Sequence, residues 1–308
     1  LSLHDALPIF TLEPCCHYGH QPPCTEAILN AGIKRVVVGS GDPNPLVSGR
    51  GIQILREHGI EVTEHILEDE CTRLNEVFFH YIQTKRPFVV MKYAMTLDGK
   101  IAAYTGASKW VTGEQARNHV QEQRHRYTGI MVGVGTVLAD DPLLTCRKAG
   151  CKNPIRIICD TDLRTPLTAQ VVTTAKQAPT ILVTCCADRE KWTGYEEAGC
   201  RILPAERKNG RIDLERLMER LGQEGLDSIL LEGGGTLNWA ALESGIVQKV
   251  QAYIAPKLFG GQTAKTPVEG AGVPLPDCAF QLKNMVITQL GEDILLESEV
   301  ASHVHRDC

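Results

Sequence analysis

Long apolar runs are missing from the chain. Stretches such as Val36-Val37-Val38 and Ile181-Leu182-Val183 fall far short of the ~20 residues a membrane-spanning helix needs, so no membrane partner is expected. A strong charge of either sign is missing too. The 32 Lys plus Arg against 37 Asp plus Glu leave a formal net charge of −5. That balance gives no general pull toward nucleic acid, while leaving room for a local basic pocket around a phosphorylated small molecule. No secretory signal pattern is visible, and no low-complexity or collagen-like tract interrupts the sequence. What is present, 43% hydrophobic and 22% charged residues with 28 Gly and 16 Pro in 308 positions, is the balance of a folded protein with a sizeable core, most simply two domains. Cysteine is plentiful at 12, but a chain this large has no need of disulfide staples. The expected setting is a reducing cytoplasm, with most thiols acting as small buried hydrophobes.

An initiator Met is also lacking. Ser2-Leu3-His4-Asp5-Ala6-Leu7-Pro8-Ile9 joins abruptly to Phe10-Thr11-Leu12-Glu13, which has the character of the end of a buried strand. Back-translated with suitable codons, Ser2 to Ile9 resembles a short-read sequencing adapter. Residues 1–9 are therefore expected to be a non-native segment and are excluded from fold reasoning.

From Glu13 the chain runs Pro14-Cys15-Cys16-His17-Tyr18-Gly19-His20-Gln21-Pro22-Pro23-Cys24, then a helical pattern from Thr25 to Gly32. A helix N-terminus stabilises a thiolate and two thiolates suit zinc, so Cys15 and Cys24 are the candidate metal ligands. Beyond it, 34–39 is expected as a strand, 51–59 as a short helix, 60–62 as a strand and 68–84 as one packing helix. Asp42-Pro43-Asn44-Pro45 is a turn. Lys85-Arg86-Pro87 marks a boundary, because Pro restricts the residue before it to extended backbone.

After the boundary, 88–96 is expected as a strand with Lys92 and Ala94 on one face, and Lys92 either approaches substrate oxygens or extends to solvent. Thr112 is the expected N-cap of a helix running to about Tyr127. A strand over 129–136 enters a glycine turn before Val137 to Arg147. Further strands are expected at 154–161 and 179–184. Asp227-Ser228-Ile229-Leu230-Leu231-Glu232 is an apolar strand that enters Gly233-Gly234-Gly235 and leaves as a helix, Thr236-Leu237-Asn238-Trp239-Ala240. Such a turn presents backbone N–H groups and a helix N-terminus to a pyrophosphate. Met285 to Val300 reads as a hairpin turning at Gly291, with residues 301–308 a tail. His303 and His305 there imitate a metal pair but are read as solvated.

The Cys15–Cys24 loop resembles that of zinc-dependent nucleobase deaminases, and specifically the deaminase half of the bacterial bifunctional riboflavin-biosynthesis deaminase/reductases. Lys92-x-Ala94-x-Thr96-Leu97-Asp98-Gly99-Lys100, Gly106-x-Ser108-x-Trp110-Val111-Thr112-Gly113 and Gly133-x-Gly135-Thr136-x-x-x-Asp140-Asp141-Pro142-x-Leu144-Thr145-x-Arg147 resemble their reductase half. The resemblance covers 10–84 and 85–300. It implies an α/β chain: a truncated cytidine-deaminase-like α/β/α domain, lacking its His-Ala-Glu motif, then a dihydrofolate-reductase-like α/β domain. It implies NADPH as cofactor, zinc at the full deaminase site, and homo-oligomerisation through the reductase half. Ser108, Arg124, Leu144, Arg147 and Glu232 are the implied substrate contacts. Ala94, Trp110, Thr136, Asp140, Thr161 and the run Gly234, Gly235, Thr236, Leu237, Asn238, Trp239 and Ala240 are the implied cofactor contacts, with Arg164 a further basic candidate. Trp110 is either a pocket wall or a core aromatic. Lys92 and Asp140 are candidates for the catalytic proton donor. The expected reaction is reduction of the ribosyl side chain of 5-amino-6-(5-phospho-D-ribosylamino)uracil to the ribityl form. Deamination of the preceding diaminopyrimidine is not expected from a chain without the His and Glu. The rival readings are a noncatalytic zinc scaffold and a tRNA-editing deaminase relative.

Overall fold

The computed structural model describes residues 6–19 and 21–301. Part of the adapter-like segment, His20, and the tail histidines His303 and His305 lie outside the described residues. Among the described residues no helix is long and apolar enough to cross a membrane. The chain divides into two units, Leu1–Lys85 and Arg86–Cys308.

The first unit runs β1 (Ile9–Leu12), α1 (Cys24–Asn30), β2 (Arg35–Ser40), α2 (Arg50–Glu57), β3 (Glu61–Thr63), α3 (Glu68–Leu74) and α4 (Glu76–Thr84). Its strands form a parallel three-stranded sheet in the order β1-β2-β3. Ile28, Val36, Val38, Ile52 and Leu55 make the core. The single helix expected over 68–84 breaks at Asn75, whose Nδ2 donates to the Cys71 carbonyl at 2.8 Å and takes up an end group of α3. The apolar spacing of Cys71, Leu74, Val77, Phe78 and Ile82 runs across the break because α4 begins at Glu76, directly after Asn75.

Glu13 is the buried pin of this unit. Its carboxylate accepts backbone N–H bonds from Asp42 (3.3 Å), Gly49 (2.9 Å), Gly51 (3.0 Å) and Ile52 (3.3 Å), so it caps α2 from outside the helix. Gly51 is required there, since a Cβ would lie 2.0 Å from the Pro14 carbonyl oxygen.

The second unit contains β4 (Phe88–Thr96), α5 (Glu114–Arg126), β5 (Gly129–Gly133), α6 (Val134–Asp140), β6 (Ile155–Cys159), α7 (Gln170–Thr173), β7 (Thr180–Thr184), α8 (Thr193–Glu197) and β8 (Arg201–Pro204). It continues with β9 (Arg207–Lys208), β10 (Arg211–Ile212), α9 (Leu214–Gln223), β11 (Ser228–Leu231), α10 (Gly235–Glu243), β12 (Lys249–Ala255), β13 (Leu282–Leu290) and β14 (Asp293–Val300). One nine-stranded sheet has the order β13-β14-β12-β4-β11-β5-β6-β7-β8, parallel from β12 to β8 and closed at one edge by the antiparallel β13–β14 hairpin. The α/β class is as expected. Apolar clusters cover both faces, one around Val89, Ile157 and Leu231, the other around Ile130, Ile158 and Leu182. Such doubly covered parallel strands read as continuous apolar runs.

Two local expectations are corrected. The strand from Gly129 stops at Gly133, and Val134 to Asp140 is helical, because Val134 and Val137 bury the same side three residues apart. Thr112 does not cap α5. Gly113 holds that position, with its own N–H donated to Asp293 Oδ2 at 2.7 Å, while Thr112 offers only its carbonyl, to Arg117.

Glu13→Ala leaves four backbone donors in the first unit without an acceptor. The expected outcome is a loss on the order of 3 kcal/mol, read as faster hydrogen exchange at Gly51 and Ile52 and a lower urea midpoint; unchanged exchange at those amides would contradict the pin.

Candidate active site

The parallel strands aim their C-terminal ends at one edge of the sheet, where open α/β folds place ligands. β4 pairs with β11 through Met91–Leu231 and with β12 through Lys92–Gln251 and Ala94–Tyr253. Alternation therefore puts Lys92, Ala94, Gln251 and Tyr253 on one face, which α5 covers with Ala116 and Val120. Glu232 follows β11 directly, its N–H bonded to the Met131 carbonyl at 2.9 Å.

Glu232 is held by two cations. Arg124 of α5 donates Nε to Oε1 at 2.8 Å and Nη2 to Oε2 at 2.9 Å, a two-pronged fork, while Lys92 Nζ stands 3.7 Å from Oε2. All three side chains are nearly buried. Burial alone raises a carboxyl pKa, but the Arg124 and Lys92 charges outweigh it and bring Glu232 down to about 2. Burial pulls the Lys92 ammonium below the usual lysine range, with Glu232 opposing the shift and Arg124 adding to it. Burial also disfavours the charged Arg124, but Glu232 outweighs that and raises its pKa. Arg124 Nη1 reaches the Thr145 carbonyl at 3.1 Å, tying α5 to the loop that carries Arg147.

That loop sorts the remaining substrate candidates. Arg147 is exposed, its backbone N–H on Gln121 Oε1 at 2.9 Å and its guanidinium without a partner among the described residues. Leu144, with φ of 53°, turns its side chain into the core among Ile130, Val132 and Val137, so a ligand contact there would come from its backbone. Ser108 Oγ donates to Asp140 Oδ1 at 3.2 Å, which joins these two candidates to each other rather than to Lys92. Trp110 is exposed, its ring under the Arg117 guanidinium at 4.8 Å, so the core-aromatic alternative does not hold.

The three glycines after Glu232 divide. A Cβ on Gly233 would meet Asn238 Oδ1 at 2.9 Å, and one on Gly235 would meet the Thr266 carbonyl oxygen at 2.7 Å, so both are demanded by protein packing. Gly234 has only Thr136 Oγ1 nearby, at 3.9 Å, and opens the start of α10. Down the helix, Thr236 is exposed, but Asn238 is fully buried with Nδ2 on the Pro267 carbonyl at 2.8 Å. Trp239 packs against Gly270 and edge-on to Phe280, and Leu237 and Ala240 against the core. These four side chains are engaged in protein packing. Thr161 sits past β6 with its carbonyl bonded to the Cys185 N–H and the Thr184 hydroxyl, and Arg164 is exposed close by in sequence. Gly234, Thr136 and the helix start they flank fit a dinucleotide phosphate.

In the first unit Cys24 opens α1, and its N–H donates to Cys15 Sγ at 3.3 Å. Burial and the adjoining Cys15 raise the Cys24 thiol, against the expected helix-end stabilisation of a thiolate. Among the described residues no group of three or more His, Cys, Asp or Glu is placed to hold a metal ion. The cysteine pair supplies two of the three protein ligands a catalytic zinc requires, with no third grouped beside it among the described residues.

Sequence reasoning missed Tyr253, His119, Gln123 and Gln251, which join behind Lys92, and Arg117 beside Trp110. The available signal was a lone Gln in the apolar strand Val250 to Ala255 and the four-residue spacing of His119 and Gln123 on one helix face.

A parallel sheet whose strand ends gather a buried carboxylate, two cations and a glycine-opened helix defines an α/β nucleotide-dependent enzyme domain. Residues 87–296 match the family model of the RibD C-terminal domain. The chain is 53% identical over 301 residues to the riboflavin biosynthesis protein RibD of Actinobacillus pleuropneumoniae, covering 98% of this chain and 80% of that one. Among solved structures it is similar to RibD of Acinetobacter baumannii, at 35% identity and a TM-score of 0.81, over 95% of this chain and 80% of that chain. It is also similar to a diaminohydroxyphosphoribosylaminopyrimidine deaminase/5-amino-6-(5-phosphoribosylamino)uracil reductase of Thermotoga maritima, at 36% identity and a TM-score of 0.79, over 94% and 78%. The chain belongs to the RibD family of riboflavin biosynthesis proteins.

The depressed Glu232 carboxyl has a stability consequence. Its folded pKa of about 2 lies below the ~4.3 of an unfolded chain. The ion cluster therefore stabilises the fold fully above that unfolded value and loses its contribution as pH falls toward the folded one. Glu232→Gln is expected to flatten stability against pH in that acid window, measured by urea unfolding at stepped pH; a slope equal to wild type would refute the assignment.

Proposed function

We propose that the second unit reduces the ribosyl side chain of 5-amino-6-(5-phospho-D-ribosylamino)uracil with NADPH. The observation that carries this reading is the Lys92–Glu232–Arg124 cluster beside the open Gly234 helix start. NADPH supplies a hydride for the ribose C1′ of an opened or imine form. Gly234 and Thr136 would hold its phosphates through N–H and hydroxyl donors, and Ala94 and Trp110 would line its nicotinamide. Thr161 and Arg164 would serve its adenosine half. Arg147, exposed and unpaired among the described residues, grips the substrate phosphate. Glu232 accepts hydroxyl hydrogens of the sugar, and Ser108 is held for the same work by Asp140. Between the two proton-donor candidates Lys92 is preferred, because it stands inside the buried cluster while Asp140 is exposed.

We read the first unit as part of a deaminase domain in which Cys15 and Cys24 are two zinc ligands. With no third ligand among the described residues, no deamination step is derived. The exposed apolar residues Leu282, Met285 and Ile287 on the edge strand β13 support association of copies through the second unit. The described cysteines are all free thiols, in keeping with a reducing cytoplasm. The zinc-scaffold and tRNA-editing readings draw no support from the family matches.

The direct test follows NADPH absorbance with the aminouracil phosphate. Oxidation dependent on substrate is expected, and its absence with the fold intact overturns the reading. Gly234→Ala and Gly235→Ala separate ligand from packing roles: the first should keep the thermal midpoint while raising the NADPH KM about tenfold, a loss near 1.4 kcal/mol. The second should lower the midpoint, because Thr266 and Glu269 fill the space.

A further inference from the structure

Behind Lys92 lies a buried polar chain that the reduction as described does not use. Gln251 Nε2 donates to Glu297 Oε1 at 2.9 Å and to Gln123 Oε1 at 3.2 Å. Gln123 Nε2 stands 3.1 Å from His119 Nε2, and His119 Nδ1 stands 2.8 Å from Tyr253 Oη. A carboxylate only accepts, so Glu297 fixes the direction of every later bond. The Gln251 amide donates twice, the Gln123 oxygen accepts, and the Gln123 amide nitrogen donates to His119 Nε2. The histidine proton is thereby placed on Nδ1, which donates to the Tyr253 hydroxyl oxygen. Tyr253 is wholly buried, and its ring is locked between this bond and the α5 residues Ala116 and Val120. Over the ring face stands Lys92 Nζ, 5.5 Å from the centroid.

We propose that Tyr253 is a positioning residue for the reduction site, its ring face holding the Lys92 ammonium in charged form beside Glu232, with the His119–Gln123–Gln251–Glu297 chain fixing the ring. This deepens the proposed function and rests on Lys92 acting in that site. Glu232 alone does not settle the charge on Lys92, because the Arg124 fork already takes both of its oxygens and Arg124 itself repels Lys92. An aromatic face offers a desolvated ammonium a second attraction without adding a group that titrates. Burial, with the nearby carboxylates, drives the Tyr253 phenol well above its ordinary range, so the ring stays neutral wherever Lys92 ionises. The charged and titratable groups around the pair are Glu232 beyond β11, Arg124, His119 and Glu122 on α5, Glu297 on β14, and Tyr127.

The experiment places Phe, and then phenylalanines of increasing fluorine content, at position 253 in the full chain. Volume changes little along this series while the negative ring face is progressively removed. With substrate-dependent NADPH oxidation as readout, Tyr253→Phe, which loses the His119 bond but keeps the ring face packed on Ala116 and Val120, is expected to move the alkaline limb of kcat/KM far less than the fluorinated rings do. The fluorinated series should move that limb stepwise to lower pH, by about one unit in all. A merely structural role would change the rate without moving the limb. The Lys92 titration is read independently by NMR of isotope-labelled methyl groups on lysine, with Lys92→Arg identifying its signal. If wild type does not oxidise NADPH, the functional reading fails while this titration still decides the ring's role. A Lys92 titration that stays put across the fluorinated series overturns the proposal, and so does one displaced as far by Phe as by the fully fluorinated ring.

Discussion

A carboxylate that has given up water must replace every contact it lost, and in the second unit Glu232 meets that demand with three structural elements at once. Its backbone ends β11, the Arg124 fork brings in α5, and Lys92 brings in β4. Through the third guanidinium nitrogen the same arginine fixes the Thr145 carbonyl and with it the loop from α6 to β6. Removing one member leaves the others as uncompensated buried charges, which costs more than the pair contributes. The strand ends, the covering helix and the substrate loop are thus held to one geometry by electrostatics, where apolar packing alone would leave them free to slide.

The glycine turn works by a different constraint. Gly233 and Gly235 let the chain close on Asn238 and on the Thr266 to Glu269 segment, so the turn is rigid because protein fills it from behind. Only with that backing can the single open residue, Gly234, present its N–H at a fixed place. Buried Asn238 on the Pro267 carbonyl and Trp239 against Gly270 belong to the backing.

What was legible in the sequence follows from this division. Strands buried on both faces showed as apolar runs, and strings such as Lys92-x-Ala94-x-Thr96 carried the site's positions. Positions do not carry directions. Leu144 was placed at the substrate loop, yet a left-handed backbone turns its side chain into the core. Thr112 had the right chemistry for a cap one residue away from where Asp293, distant in sequence, supplies the acceptor. The break at Asn75 was hidden because one helix follows the other after a single residue, leaving no gap in the apolar spacing. Tyr253 was invisible for the opposite reason: an aromatic in a buried strand is ordinary, and its partners His119 and Glu297 come from elements far along the chain.

The charges at the site bear on how a phosphorylated substrate would be held. The chain as a whole is negative, at −5, and gives a phosphorylated metabolite no general attraction. Locally, Arg124 and Lys92 stand against Glu232 in a poorly hydrated place, and Arg147, on the loop that Arg124 fixes through Thr145, is exposed. These cations are not equivalent. Arg124 has three of its five N–H donors committed to protein oxygens, and withdrawing them for a phosphate would expose Glu232 to the full cost of an unpaired buried charge. Arg147 has no such commitment among the described residues and is exposed to solvent. On the proposed reading the phosphate is therefore gripped by Arg147, with Arg124 fixing the geometry of Glu232 and setting the distance between the phosphate and the carbon to be reduced.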